Sequence, residues 1–326
     1  CDNPTKYLGL DIYCFPASQR CAQLKQKPVI KPDLSTLLIK LHTSQVGDSS
    51  FSINLDIDKS VTMPLKFAAN ISMLFQEIPT LVGRFKAAKE AGFKFTECTF
   101  PYNEGSEELG EACKEAGLQH VLINNWSGKM EKGELGLAAL PERVQDFRMQ
   151  LELSIEYANC LNCKRMHVTA GRTSRCDKKE MEETYLENLR FAADRLQKEG
   201  IMCLIEPLNS RITAPNYFLN NLQTAVDYIK KVGHPNLKLQ FDVFHAQIIS
   251  GDLTGNLKKF LPYIGHIQIA QVPDRGEPDL QGEVNYKYIF QLLEEIGYEG
   301  FIGLEYKPRT TTLEGLKWMQ ELGVSP

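Results

Sequence analysis

Leu204-Ile205-Glu206-Pro207-Leu208-Asn209 closes an apolar run that begins at Ile201. A short run of that kind has the pattern of a strand buried on both faces. It stops at a carboxylate, and Pro207, which has no N–H to give a neighbouring strand, cannot extend the sheet. A charge brought to the rim of a packed core is costly unless a metal, a substrate or a counter-charge meets it there. Alone, this strand end reads first as an ordinary solvated glutamate. Its recurrence along the chain decides the fold.

Downstream, Leu237 to Phe241 ends in Asp242, Ile264 to Ile269 carries His266 and Gln268, and Phe301 to Leu304 ends in Glu305. Upstream, Lys66 to Asn70, Phe93 to Cys98 with Glu97, Leu118 to Ile123 before Asn124, and Arg165 to Val168 with His167 repeat the theme. Amphipathic helices are expected between them, over 81–91, 106–116, 142–158, 178–198, 222–232, 253–260, 286–296 and 313–322. Gly92 and Gly200 are placed as helix stops. Eight alternating units in roughly 260 residues predict an α/β protein, a (β/α)8 TIM barrel. A doubly wound open sheet is the competing architecture, but no G-x-G-x-x-G follows the first strand.

Residues 1–62 read differently. Prolines and lysines are scattered through Gln26-Lys27-Pro28-Val29-Ile30-Lys31-Pro32, and Leu37-Leu38-Ile39 is too short for a signal sequence. A disordered extension is expected there, with Met63 as the functional start and residues 63–326 as a single barrel domain. The net charge of −4 gives no reason to expect nucleic acid or an anionic membrane as partner. No apolar run approaches the roughly 18 residues of a membrane span. Nine cysteines, an odd number set mostly in apolar segments, suit reduced thiols in the cytoplasm. Cys160 and Cys163 form a lone C-x-x-C without the second pair a zinc site needs.

In a barrel the C-terminal strand ends gather at one mouth. Here they carry Asn70, Glu97, Asn124, His167, Glu206, Asp242, Gln268 and Glu305. The fifth to eighth strands would bring Glu206, Asp242, Gln268 and Glu305 together. Anions so close cannot all stay ionised without compensation, and a divalent cation resolves the conflict. Three carboxylates and an amide oxygen favour Mg2+ or Mn2+ over zinc. Two glutamates beside such a site suit proton abstraction next to a carbonyl, one removing the proton and the other returning it. His245, three residues past Asp242, could face the mouth. Arg275, Arg172 and Lys307 are candidates to hold an anionic substrate group. His167 and His266, within apolar strands, read as supports.

Six stretches carry a resemblance: Phe67 to Phe75, Leu204 to Asn209, Gln240 to His245, Gly265 to Ala270, Arg275 to Pro278 and Gly303 to Pro308. Through them, residues 63–322 resemble the hydroxypyruvate isomerase family of the xylose-isomerase-like barrels. The resemblance implies interconversion of hydroxypyruvate and 2-hydroxy-3-oxopropanoate through an enediolate, with no nucleotide cofactor. It implies Glu206 and Glu305 as the proton-carrying pair and Glu206, Asp242, Gln268 and Glu305 as metal-site positions. It matches His245 and Arg275 to substrate-contacting positions of related sugar epimerases. Those epimerases usually hold a histidine where this chain has Gln268. A metal-dependent ketose 3-epimerase is the alternative within enzymes, and a non-catalytic small-molecule-binding barrel the alternative outside them. The expected partner is a small 2-oxo, 3-hydroxy acid; homo-oligomerisation stays open.

Overall fold

The structure, a computed structural model, describes residues 64–173 and 177–326 together with two strands at 39–46 and 50–57. The chain divides into two units, Cys1–Val61 and Thr62–Pro326. In the first, Ile39–Val46 pairs antiparallel with Ser50–Ile57, Ile39 opposite Ile57 and Val46 opposite Ser50. Its sequence signal is the alternation of Phe51, Ile53, Leu55 and Ile57. The rest of the expected disordered extension, Met63 included, lies outside the described residues.

In the second unit eight parallel strands close into a barrel: Lys66–Asn70, Phe95–Cys98, Gln119–Asn124, Arg165–His167, Met202–Ile205, Leu237–Asp242, Ile264–Ile269 and Phe301–Leu304. Each pairs with the next in sequence, and the eighth closes on the first, Ile302 opposite Phe67 and Leu304 opposite Ala69. The apolar faces of the surrounding helices pack on the outside of this barrel in one continuous core. Seven of the eight strands match the reading to the residue or within one at each end, and the second starts two residues later than expected, at Phe95.

Successive side chains alternate in and out, so inward residues step by two along each strand. A small apolar cluster of Ala68, Val121, Leu122, Leu204 and Phe301 fills part of the lumen. Toward its lower end the Arg165 guanidinium lies 4.7 Å from the Phe301 ring centroid. Above it the lumen turns polar. Glu97, fully buried, accepts from Asn70 Nδ2 at 2.9 Å, Gln268 Nε2 at 2.7 Å and the His266 ring at 2.7 Å. A register irregularity between Thr96 and Glu97 accompanies this placement.

Gly303 makes room for it. A Cβ there would stand 2.3 Å from both Glu97 carboxylate oxygens, and the three hydrogen bonds leave that group nowhere to go. Gly303→Ala is therefore expected to destabilise the barrel by about 2–3 kcal/mol, the range for overpacked cores. That corresponds to a thermal midpoint lower by roughly 5–10 °C. An unchanged midpoint in calorimetry would contradict the steric reading.

Two helices depart from expectation. Val243–Ile249 is a helix not foreseen, begun by Asp242, whose Oδ1 accepts from Phe244 N at 2.7 Å and His245 N at 3.4 Å. The closing helix is broken into Thr312–Gly315 and Lys317–Glu321.

Candidate active site

Glu206 follows directly on the fifth strand and is buried. Its Oε2 accepts from Gln240 Nε2 at 2.9 Å and lies 3.2 Å from His167 Nδ1, while its Oε1 has no hydrogen-bond partner. Asp242 closes the sixth strand. Its Oδ1 caps the following helix, and its buried Oδ2 is likewise without a hydrogen bond. Each carboxylate thus uses one oxygen for structure and presents the other unpartnered, which is costly in a buried setting and asks for a ligand.

Glu305 follows the eighth strand with its side chain 13 % exposed, and its Oε2 accepts from Arg275 Nη2 at 2.6 Å. The same Nη2 stands 3.7 Å from Asp242 Oδ2, and the guanidinium lies 5.1 Å from the Phe244 ring centroid. Arg275 reaches this position from the loop after the seventh strand. Its backbone sits at φ 59°, and its carbonyl accepts from Lys307 N at 2.8 Å. Lys307 itself is exposed and joins the loop through its main chain.

Gln268 sits in a hydrogen-bonded chain across the lumen. Its Nε2 donates to Glu97 and its Oε1 accepts from Gln240 Nε2 at 2.6 Å, the same amide that donates to Glu206. His245 is buried, with Nε2 3.6 Å from Asp242 Oδ2 and Nδ1 accepting from Asn209 N at 3.1 Å.

The electrostatics follow from burial in a cluster of like charges. Burial, then Glu305 and Asp242, push the Glu206 carboxyl well above its ordinary value. Burial raises Glu305 to about 7, with Arg275 opposing and Asp242 adding to the rise. Burial also raises Asp242, against the pull of Arg275 and its two main-chain donors. Burial lowers His167 to about 3 and His245 well below its ordinary value, so both rings are neutral near pH 7.

Similarity to known proteins agrees with the barrel fold. Residues 85–322 match the model of the xylose isomerase-like TIM barrel family. A human protein named "Putative hydroxypyruvate isomerase" is 51 % identical over 79 % of this chain and 95 % of its own length. A 2-oxo-tetronate isomerase of Cupriavidus necator is 44 % identical over 78 % and 97 %. The chain belongs to the xylose isomerase-like TIM barrel family. Among solved structures, one titled AP endonuclease, family 2, from Brucella melitensis is 44 % identical. It superposes with a TM-score of 0.76 over 79 % of this chain and 99 % of that one.

Among these family barrels, what this chain offers a cation can be judged from its own atoms. Among the described residues, ligand atoms of Glu206, Asp242 and His245 lie within 4.8 Å of one another. Glu206 and Asp242 each also keep one buried carboxylate oxygen without a hydrogen bond, a donor set that fits a divalent cation. Of the residues expected at the mouth, Glu206, Asp242, Glu305, Arg275 and His245 come together, and Gln268 lies beside Glu206 through Gln240. Arg172 does not join them through its side-chain bonds: its guanidinium donates to Gly133 O and Pro215 O, tying two loops. Cys160 and Cys163 are free thiols outside any metal-holding group among the described residues.

Sequence reasoning missed Gln240 and Asn209, and placed Glu97 at the mouth without its partners. Gln240 had a signal, standing two residues before Asp242 and so on the same inward face. No helix among the described residues is long and apolar enough to cross a membrane.

Proposed function

We propose that this chain interconverts hydroxypyruvate and 2-hydroxy-3-oxopropanoate, with Glu206 and Glu305 as the two proton carriers. The observation that carries the reading is the convergence of buried Glu206 and nearly buried Glu305, both shifted upward and both under the charges of Asp242 and Arg275. A carboxyl at about 7, as for Glu305, can take a proton at working pH, and Glu206, raised by burial and its acidic neighbours, can hold one to return. The relatives support the substrate class, since hydroxypyruvate and 2-oxo-tetronate, the compounds in their names, are both short 2-oxo acids.

One glutamate, ionised, takes a proton from C3 of hydroxypyruvate, and the electron pair moves into an enediolate. The other, protonated, delivers a proton to C2, while the O3 hydroxyl proton passes to O2. The product has the same atoms with the carbonyl moved to C3. Arg275, freed in part from Glu305, is placed to hold the substrate carboxylate, and His245 to meet a substrate oxygen. Glu206 and Asp242, with Glu305 and Gln268 beside them, would hold a divalent cation. Such a cation, when bound, supplies positive charge against the developing enediolate oxygens.

The endonuclease title of the Brucella melitensis structure finds no support in this chain's charge of −4 or in a cluster holding one histidine. The test is proton NMR in D2O with hydroxypyruvate, 2-oxo-tetronate and ketohexoses in parallel. Turnover of hydroxypyruvate with solvent deuterium entering carbon is expected. Turnover of ketohexoses alone would replace this reading with the epimerase one, and binding without exchange would replace it with the non-catalytic one.

A further inference from the structure

We infer that Asn209 is a positioning residue that locks His245 in the tautomer carrying its proton on Nε2. The inference deepens the proposed function, on which its activity arm rests. Position alone would make His245 a third cation ligand, because its ring belongs to the group with Glu206 and Asp242. Hydrogen bonding says otherwise.

Two N–H groups converge on His245 Nδ1. One is the Asn209 main-chain N–H at 3.1 Å, a donor that cannot be turned round. The second is Asn209 Nδ2 at 2.8 Å. The orientation of that amide is fixed by its other end, since Oδ1 accepts from Ile212 N at 3.0 Å and Thr213 N at 3.3 Å. Its Nδ2 also donates to Thr213 Oγ1 at 3.0 Å. Flipping the amide would set its NH2 against the Ile212 and Thr213 N–H donors and break both main-chain bonds.

With Nδ1 bound to act as acceptor, the proton of a neutral ring sits on Nε2. An Nε2–H has no lone pair for a metal. Its hydrogen is left for an acceptor, and Asp242 Oδ2, which makes no hydrogen bond, stands 3.6 Å from Nε2. His245 is then a hydrogen-bond donor to substrate, and the cation is left to oxygen ligands. Asn209 sets this from three residues beyond Glu206, so one loop supplies both the proton carrier and the lock on the donor.

The test begins on the full chain without substrate: two-bond proton–nitrogen correlation on protein labelled with 15N in its histidine rings. His245 is expected to show a pyridine-like Nδ1 and a pyrrole-like Nε2. A pyrrole-like Nδ1 in the unaltered protein would overturn the inference, whatever the substrate proves to be. Asn209→Asp keeps the Oδ1 contacts and replaces the Nδ2 donor by an acceptor. It is expected to move the His245 proton toward Nδ1 and lower kcat/KM for hydroxypyruvate by about 10²-fold, the lower end of the scale for one lost donor. The fall should reside mainly in kcat. In a His245→Gln background, where no ring tautomer exists, Asn209→Asp should cost less than about 3-fold, the two losses failing to add. An equal cost in both backgrounds would show that Asn209 serves only the fold of its loop.

Discussion

Glu305→Gln is expected to lower kcat for hydroxypyruvate by about 10³-fold or more, within or beyond the range that general acid–base groups contribute. The amide has the shape of the carboxylate but cannot carry a proton between carbons. The fold should survive the change. Gln can still accept from Arg275, which keeps Asp242 at 3.7 Å as a second anionic neighbour. The wild-type carboxyl stands at about 7 because burial disfavours its charge, so the neutral amide removes a cost above that pH. The thermal midpoint at pH 8 should therefore stay within about 3 °C of wild type. In wild type, the acid limb of kcat/KM reflects a carboxylate that must be ionised, so activity rises as pH increases through the neighbourhood of 7. The variant should lack this limb in whatever residual rate it shows. Near-normal turnover in the NMR assay would remove the two-glutamate mechanism, and a collapsed circular dichroism spectrum would show that the residue is needed for folding instead.

The barrel was legible because its strands are short apolar runs with hard stops. Ile264–Ile269 begins two residues after Pro262, Phe301–Leu304 stands between Gly300 and Glu305, and the β–α alternation does the rest. The helix Val243–Ile249 was not legible, because seven residues are too few to show a helical period and Asp242 read only as the end of the sixth strand. Its start depends on Asp242 turning its side chain back onto two main-chain N–H groups, a three-dimensional event. The mouth carboxylates were visible for the same reason that the strands were, as charges at the end of buried runs. Their supports were hidden. Gln240 and His266 read as strand interior, and the bond from Gln240 to both Glu206 and Gln268 needs the barrel to close before it exists. Arg172 and Arg275 look alike as loop cations. Only folding shows one tying loop carbonyls and the other meeting Glu305.

Removing divalent metal is expected to abolish turnover, and restoring Mn2+ or Mg2+ to stabilise the fold measurably. Three raised carboxyls set this dependence. A carboxyl whose folded pKa lies above its unfolded value favours folding while it is protonated, and that contribution fades as pH rises through the folded pKa. For Glu305 the window runs from about 4.5, its ordinary value, to about 7. Glu206 and Asp242 shift in the same direction. The metal-free chain should accordingly lose stability between pH 5 and pH 8, as like charges accumulate around Glu206 Oε1 and Asp242 Oδ2. A cation binding the ionised group reverses that trend. At a concentration 100-fold above its dissociation constant it adds about 2.7 kcal/mol, or roughly 5 °C in the midpoint of a chain this size. The gain should be larger at pH 8 than at pH 5.5, where protons compete for the same oxygens. Chelator treatment should lower kcat by about 10²-fold or more, with recovery on adding Mn2+. Asp242→Asn should blunt both the stabilisation and the recovery while keeping an oxygen to cap the helix that carries His245. Full activity in protein shown by elemental analysis to hold no metal would leave the proton transfer to the glutamates, Arg275 and His245 alone.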